Sequence, residues 1–471
     1  MNPTPTSQPI PAGAHIGKGE KTAFTFGSIG KNILFWGIGT FMLVYLTDVF
    51  GLPPAVVGTL FLIARLLDAV NDPIVGYILD HLKPTRWGRF RPWLLMGGIL
   101  AGLNFAAMFL GPDLSYTGKL VYAYITYLVF GITFDLVDIP YSSLMVTMTQ
   151  DTNERNKLNS LIAIGLMVGT GLTLVATVPL VGLFPTPQMG YRMVGILYGL
   201  IAIIGIALAA IFGKERVEKA EDESYSFREL YPIFIQNKPF MILMLSLVLF
   251  SIGNFVVTSA NVIFYTYFVG DAELFGPIQL ATAPALLLAI IAMPYLARKL
   301  GKRNTYMLGY ALTIAIGVLF FVTQPTSIAL LVVFAAGMAV AGSPGAALID
   351  SMVADTNEYA EWLTGLRSEG AIQAGFTFVK KTANGLGGAF AAYMLAWIGY
   401  QPNVEQSPGT MTGLLAMVSL VPAVFALAAL IAMYFYPLTE AKFSNILGDL
   451  QARKTPRTEP VEVAVSPTPA D

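Results

Sequence analysis

The chain lacks cysteine, has few charged residues and contains only two histidines, His15 and His81. Without cysteine, disulfides, iron–sulfur clusters and thiolate metal sites are excluded. His15 lies in a polar N-terminal stretch and His81 at the end of an apolar run, so a histidine-rich metal site or a serine–histidine relay inside a membrane is also excluded. A formal net charge of −1 gives no basic surface for nucleic acid.

The shortage of charge also excludes a large soluble domain. Only 12% of the 471 residues are charged and 55% are hydrophobic, whereas an ordinary soluble protein is about 25% charged. The chain cannot supply the charged shell that a soluble fold of this length needs. It is therefore expected to be embedded in a lipid bilayer, where about 20 apolar residues per span leave room for about twelve helices.

Twelve apolar runs are visible, and the 45 glycines are typical of helices that pack closely in lipid. The predicted spans are 24–50, 54–81, 92–112, 118–149, 159–183, 189–213, 239–269, 275–297, 305–323, 327–350, 369–398 and 411–436. Because the first 20 residues contain no apolar signal region, we expect the first span to direct insertion. The sequence predicts an all-α membrane protein with twelve transmembrane helices.

Basic residues predict the orientation. Most of the 28 Lys and Arg lie in the tails and in alternate loops, whereas the other loops contain only Lys119 and Arg192. Since cytoplasmic loops are enriched in basic residues, both termini are predicted to be cytoplasmic, in the inner membrane of the cell.

The chain also contains an internal repeat. Ser28–Gly51 is similar to Ser251–Asp271, and Gln150–Glu154 (QDTNE) recurs as Ala354–Glu358 (ADTNE). Such repeats predict two related six-helix bundles, the major facilitator fold. The predicted divisions are a disordered cytoplasmic tail (1–23), an N-terminal bundle (24–213), a cytoplasmic linker (214–238), a C-terminal bundle (239–436) and a cytoplasmic tail (437–471), with the proline-rich tails expected to be disordered.

Charged residues inside the spans indicate the functional site. Spans two and four contain Arg65, Asp68, Asn71, Asp72, Asp135 and Asp138. A charge at mid-bilayer costs about 2.5–3.5 kcal/mol, so these groups are expected to face a wet cavity and to meet cations. Asp68, Asn71, Asp72 and Asp135 are the predicted site for Na⁺, Li⁺ or H⁺, with Na⁺ at Asp68 and Asp72. The alternative is a structural ion pair between Arg65 and Asp68.

Other basic residues have candidate roles. Lys381 is predicted to project toward the acidic cluster and to pair with a carboxylate when the cation is absent, whereas Lys380 is expected to extend to the membrane surface. A cytoplasmic gate latch between Asp80 and Arg86, Arg89 or Arg91 is one interpretation, and positive-inside targeting explains these arginines equally well. Arg367 is a further gating candidate. The aromatic candidates for lining the cavity are Trp36, Tyr45, Tyr141 and Tyr265.

Several motifs together resemble one family. Tyr45–Gly51 (YLTDVFG), Arg65–Gly76 (RLLDAVNDPIVG), Arg86–Pro92 (RWGRFRP) and Phe378–Lys381 (FVKK) resemble the glycoside–pentoside–hexuronide:cation symporters, which include the melibiose permeases. The resemblance extends from Phe24 to Tyr436. It implies that Asp68, Asn71 and Asp72 hold Na⁺ and that Lys381 is the family lysine of helix eleven. Asp135 occupies the fourth cation-site position, usually a hydroxyl residue.

The resemblance also implies a solute site that departs from the melibiose permeases. Its candidate residues are Lys31, Asn32, Asp138, Tyr141, Ser142 and Lys381. Asn32 stands where those permeases have an aspartate, and Ser142 stands in place of a tryptophan. Galactoside specificity is therefore not expected.

The predicted function is cation-coupled symport of a sugar or glycoside by alternating access. The chain is not expected to be an enzyme, to need a cofactor beyond the coupling cation Na⁺, Li⁺ or H⁺, to bind nucleic acid, or to need a second subunit. One alternative is a carrier of lipid-like or drug-like solutes, and a more remote one is a membrane-embedded transferase in which Asp68 and Asp72 hold a metal.

Overall fold

The computed structural model describes residues 15–81, 85–216, 236–365 and 369–454. These residues contain thirteen α-helices, together with three short helical segments of other types. In chain order they are α1 (Lys18–Val44), α2 (Pro54–His81), α3 (Arg91–Met108), α4 (Tyr116–Thr147), α5 (Thr152–Gly182), α6 (Pro187–Phe212), α7 (Lys238–Ile263), α8 (Phe275–Leu300), α9 (Lys302–Thr323), α10 (Ile328–Thr364), α11 (Glu369–Trp397), α12 (Pro408–Tyr434) and α13 (Glu440–Lys454).

Twelve of the helices in the described ranges form the membrane-spanning part of the fold. Nine of them, α1, α4 to α10 and α12, are long and apolar enough to cross a membrane by length and composition. The other three, α2, α3 and α11, pack among them: α2 against α4 and α11, α3 against α4 and α6, and α11 against α7. The hydropathy of α2 and α11 is lowered by Arg65, Asp68 and Lys381, which belong to the site described below.

Helix packing repeats between the two halves. In the first bundle α1 packs on α5 and α6, and α3 packs on α4 and α6; in the second, α7 packs on α11 and α12, and α9 packs on α10 and α12. The bundles meet through α1 with α7, α2 with α11, and α5 with α8. Each of these contacts within the first bundle has a counterpart six helices later, which is the pseudo-symmetry of the major facilitator fold.

Capping side chains and small residues explain several local features. The Asp151 carboxylate accepts hydrogen bonds from the backbone N–H groups of Asn153 and Glu154 and begins α5. Gly97 of α3 lies against α4 so closely that a Cβ there would be 2.4 Å from the Leu136 carbonyl oxygen. Any larger residue would therefore force these two helices apart.

Helices α1 and α7 end in equivalent π-helical segments, Tyr45–Val49 and Phe264–Val269. Such segments are often found at functional sites because they displace the following side chains from the helical register. Here they bring Asp48 and Tyr267, one from each bundle, to the same end of the molecule.

The structure corrects the predicted start of the first helix. α1 begins at Lys18, within the stretch predicted to be a disordered tail. Its first turns are tied to other helices, since the Glu20 carboxylate pairs with Arg216 at 2.7 Å and Lys21 pairs with Glu154 at 2.6 Å. These pairs lie at the end of the molecule from which α1 and α5 begin, which we call the terminal side. The opposite end is the far side.

Two further boundaries differ at the second bundle. α10 continues past the predicted end at 350 to Thr364, and part of the predicted disordered C-terminal tail forms α13. The two helices support each other, because the Trp362 indole N–H donates to Asp449 at 3.1 Å and Ile446 and Leu450 are buried. The predicted linker lies mostly outside the described residues.

Candidate functional site

A cavity lies between the bundles, and we call it the charged cavity. Its charged lining residues are Arg65 and Asp68 from α2, Asp135 from α4 and Lys381 from α11. Aromatic rings form much of the remaining wall, contributed by Phe35, Phe61, Tyr127, Phe130, Phe134 and Phe255. Charges held in such an apolar surrounding interact more strongly than in water.

Asp135 joins the two bundles. Its side chain is 1% exposed, and it accepts hydrogen bonds from Lys381 Nζ at 2.5 Å and from Asn71 Nδ2 at 2.7 Å. Lys381 belongs to the second bundle and the other two residues to the first. The predicted approach of Lys381 to the acidic cluster is thus a contact in the structure.

Arg65 and Asp68 form a second ion pair in the same cavity, at 2.8 Å. The pair fits between α4 and α11 because both helices present glycine there. A Cβ on Gly131 would lie 2.6 Å from Asp68 Oδ1, and a Cβ on Gly385 would lie 1.8 Å from Arg65 Cδ. The pair is therefore built into the helix packing, as the structural alternative predicted, and it also lines the cavity.

The structure brings together three of the four predicted cation-site residues. Asn71 bonds to Asp135, and Asp68 and Asp135 line the same cavity. The side chains of Asp72 and Asp80, and the whole of Arg367, lie outside the described residues. The cation-binding role of this group, including Na⁺ at Asp68 and Asp72, stays a prediction.

Lys31 and Asp138 form the polar part of the predicted solute site. Lys31 Nζ lies 2.7 Å from Asp138 Oδ1 and 5.0 Å from the centre of the Tyr141 ring. The Tyr141 ring is buried, and its hydroxyl donates a hydrogen bond to the Phe24 carbonyl. The Lys31 and Asp138 side chains are 21% and 36% exposed, so neither is completely buried.

The structure does not bring Asn32 to this surface. Asn32 is buried, its amide donates to the Ser28 carbonyl at 2.8 Å, and its Cβ lies close to Gly169 of α5. The prediction that Asn32 binds solute hydroxyls is therefore corrected, because the side chain is committed to α1–α5 packing. Ser142 is exposed.

The candidate latch arginines hold parts of one bundle together. The Arg91 guanidinium donates to the carbonyls of Ala210 and Ile211 at the end of α6. The backbone N–H of Arg89 donates to Glu215, and Arg86 is exposed. The Arg91 donors thus satisfy carbonyls left free by the C-terminal turn of α6. The latch with Asp80 stays a prediction, because the Asp80 side chain lies outside the described residues.

Lys380 and the aromatic candidates are also located. Lys380 is exposed, with its Nζ 5.8 Å from the Phe376 ring centre. Trp36 and Tyr265 line a second cavity, whereas Tyr45 is buried among other rings of the first bundle.

Sequence reasoning missed a hydrogen-bonded group at the far side, which we call the far-side clasp: Asp48, Tyr267, Tyr400 and Asn403. The Asp48 carboxylate accepts from the Tyr400 hydroxyl at 2.7 Å and the Tyr267 hydroxyl at 2.8 Å. Asn403 Nδ2 donates to the Asp48 carbonyl at 2.7 Å. Burial and the nearby carboxylate raise the pKa of Tyr400, so its hydroxyl stays a donor. The available signal was the internal repeat, which aligns the ends of α1 and α7.

We expect Asp48→Ala to open the far side. The substitution removes two hydrogen bonds to a charged acceptor, each worth about 1.5–3 kcal/mol, so the ratio of open to closed molecules should rise at least tenfold. Because the chain has no cysteine, the substitutions Ala55→Cys and Val404→Cys provide the only two sites for spin labels. The distances between the two labels should be longer in Asp48→Ala than in the wild type.

The matched control is Asp113→Ala, which removes an exposed carboxylate on the same side. It should leave the label distances unchanged. An unaltered distribution in Asp48→Ala would show that the clasp does not hold the bundles closed.

Comparison with known proteins identifies the family. The family profile described as "MFS/sugar transport protein" matches residues 23–440. The chain belongs to this family. The chain is therefore a multi-span helical transporter of a small solute and not an enzyme, and the resemblance to major facilitator sugar symporters is confirmed.

Individual relatives agree. This MFS/sugar transport protein is 32% identical over 439 residues to "Uncharacterized symporter YjmB" of Bacillus subtilis, with 92% of this chain and 95% of the relative covered. It is 31% identical over 449 residues to the "Glucuronide carrier protein homolog" of Escherichia coli, again covering 92% and 95%. A crystal structure of a bacterial homologue of the lysosomal transporter Spinster has a TM-score of 0.64 at 14% identity, covering 94% of this chain and 100% of that one, which shows the shared fold.

Proposed function

We propose that this MFS/sugar transport protein is a symporter that uses a gradient of Na⁺, Li⁺ or H⁺ to import a sugar or glycoside carrying an anionic group. The observation that supports this proposal most directly is the charged cavity, in which one ion pair, Lys381 with Asp135, joins the bundles. In the proposed orientation both termini are cytoplasmic, a single chain forms the transporter, and the terminal side opens to the cytoplasm.

Coupling is proposed to occur at Asp135. A cation bound by the oxygen atoms of Asp68, Asn71 and Asp135 competes with Lys381 for the Asp135 carboxylate. When Lys381 is displaced, the ionic contact between the bundles is lost, and the bundles can rock to expose the cavity to the other side. Solute and cation affinities rise together, because thermodynamic linkage makes their coupling reciprocal.

The proposed solute site is the partly exposed Lys31–Asp138 pair. An anionic substituent of the solute takes the place of Asp138 at Lys31, and the released Asp138 carboxylate accepts hydrogen bonds from sugar hydroxyls. Arrangements of this kind bind strongly because one partner of each hydrogen bond is charged. The name of the Escherichia coli relative, a glucuronide carrier homologue, supports an anionic sugar.

The proposal is tested by uptake into proteoliposomes. We expect methyl β-glucuronide to accumulate when an inward Na⁺, Li⁺ or H⁺ gradient is imposed, and the neutral methyl β-glucoside to accumulate at least tenfold less. Lys31→Ala should remove this preference, because a hydrogen bond between charged groups is worth about 1.5–3 kcal/mol.

The control is Lys119→Ala, a lysine whose Nζ bonds to the Phe50 carbonyl outside both cavities. It should transport normally. Uptake of the glucuronide at the same level with and without every ion gradient would rule out symport.

A further inference from the structure

We infer that the turn between α2 and α3 binds the headgroup of an anionic phospholipid from the surrounding bilayer. We call Thr85–Phe90 the basic turn. Arg86 and Arg89 supply the positive charge that holds the lipid phosphate, and Trp87 supplies an indole at the level of the headgroups. The inference goes beyond the proposed transport function and does not depend on which solute is carried.

The basic turn has no counterpart in the second bundle. α8 and α9, which correspond to α2 and α3, are separated by Gly301 alone, whereas residues 82–90 separate α2 from α3. The end of each bundle's last helix is nevertheless held in the same way. Arg303 donates to the Tyr434 carbonyl at the end of α12, as Arg91 does to carbonyls at the end of α6. The fold therefore does not require the longer connection, and its extra residues need another explanation.

Hydrogen bonds fix the backbone of the basic turn. Thr85 and Gly88 exchange bonds between backbone N–H and carbonyl groups, each 3.0 Å long. The Glu215 carboxylate accepts three successive backbone N–H groups, beginning with that of Arg89 at 2.8 Å. A turn that is already fixed loses little conformational entropy when its side chains bind a ligand.

The side chains of the basic turn project outward. Arg86 is exposed, Trp87 is 48% exposed, and Arg89 is partly buried. Within the part of the chain that the structure describes, neither the Arg86 nor the Arg89 guanidinium forms a hydrogen bond or an ion pair. The nearby Glu215 carboxylate is engaged by the backbone donors. Two positive charges are thus presented to an anion from outside the protein.

The basic turn lies beside a lipid-facing surface at the terminal side. The Arg91 guanidinium donates to the Trp87 carbonyl at 3.2 Å and also to the Ile211 carbonyl at the end of α6. Ile211 and Phe212 are 47% and 49% exposed and belong to a helix that can span a membrane. Their side chains can contact acyl chains, so the adjoining Trp87 lies where the span ends and the headgroups begin.

An anionic phospholipid matches this set of groups. Guanidinium groups bind phosphate oxygens through paired, charge-assisted hydrogen bonds, and basic residues next to a span attract lipids with a net negative charge. An indole is favoured at the headgroup level. Targeting of the loop to the cytoplasm accounts for the arginines but not for an exposed tryptophan between them.

Fluorescence quenching of the full chain in lipid vesicles tests this inference. The vesicles contain phosphatidylcholine and phosphatidylglycerol, and only one of the two has brominated acyl chains, which quench nearby tryptophans. The Trp87 emission is the difference between the wild type and Trp87→Phe. At equal fractions of brominated lipid, phosphatidylglycerol should associate with Trp87 at least about tenfold more strongly than phosphatidylcholine. Arg86→Gln/Arg89→Gln should reduce this preference to about twofold or less.

The matched control is Arg298→Gln/Lys299→Gln, which removes two exposed basic residues at the corresponding end of α8. It should keep the preference at Trp87, and glycerol phosphate in solution should not compete with phosphatidylglycerol. Equal quenching by the two lipids in the wild type would overturn the lipid site, and so would an equal loss of preference in the control variant. Competition by glycerol phosphate would show a general anion site and would contradict the assignment to a lipid.

Discussion

Lys381→Met is expected to reduce ion-driven solute uptake at least 100-fold and to lower the free energy of unfolding by about 3–5 kcal/mol. The substitution leaves the Asp135 carboxylate buried without its cationic partner, and removing one member of a buried ion pair has a cost of this size. Uptake into proteoliposomes and thermal unfolding of the purified protein measure the two effects.

Two further variants make this prediction specific. Lys380→Met removes the neighbouring lysine, which is exposed, and should leave both uptake and stability within about twofold and about 0.5 kcal/mol of the wild type. Adding Asp135→Asn to Lys381→Met should restore most of the stability, because the unpaired charge is gone, but not the dependence of uptake on the ion gradient. If Lys380→Met and Lys381→Met behave alike, the Lys381–Asp135 contact is not what joins the bundles.

Gly385→Leu is expected to abolish uptake and to destabilise the protein by at least about 1–3 kcal/mol, the usual cost of overpacking. A Cβ at this position would lie 1.8 Å from Arg65 Cδ, so α2 and α11 must separate or Arg65 must leave Asp68. Either change alters the charged cavity. Uptake and thermal unfolding are again the measurements.

The control lies on the same helix. Among the described residues, no atom outside the backbone of α11 itself lies within 4 Å of the position that a Cβ on Gly370 would occupy, so Gly370→Leu should be tolerated. A Gly385→Leu variant with normal uptake would show that close packing of Arg65 against α11 is dispensable.

The predicted residues divide according to the kind of signal they carry. A charge in an apolar run stands out because its transfer to lipid is costly, and Arg65, Asp68, Asp135 and Lys381 do line one cavity. Asn32 failed as a predicted solute contact for a different reason. A short polar side chain can bond to its own helix, so the residue type does not reveal from the sequence which surface it faces.

Composition and periodicity were sufficient to predict the membrane-spanning helices but not the helical segments outside the membrane. The spans, their number and the repeat followed from apolar run lengths, because a backbone in lipid must satisfy its hydrogen bonds within helices. The extension of α10 and the presence of α13 were missed, since outside the membrane a helix depends on contacts such as Trp362 with Asp449.

The sequence by itself determined that this protein lies in a membrane as twelve helices in two related halves, with ionisable groups on spans two, four and eleven. The scarcity of charged residues indicates the membrane, and the few ionisable groups within apolar runs indicate the functional site, because each polar group placed in the bilayer has its own free-energy cost. Only the tertiary structure decided that Asp135 meets Lys381, that the far-side clasp joins the bundles at one end, and that a second cavity lies beside Trp36. These depend on which helix faces are opposed, and residues hundreds of positions apart in one chain carry no local signal of their pairing.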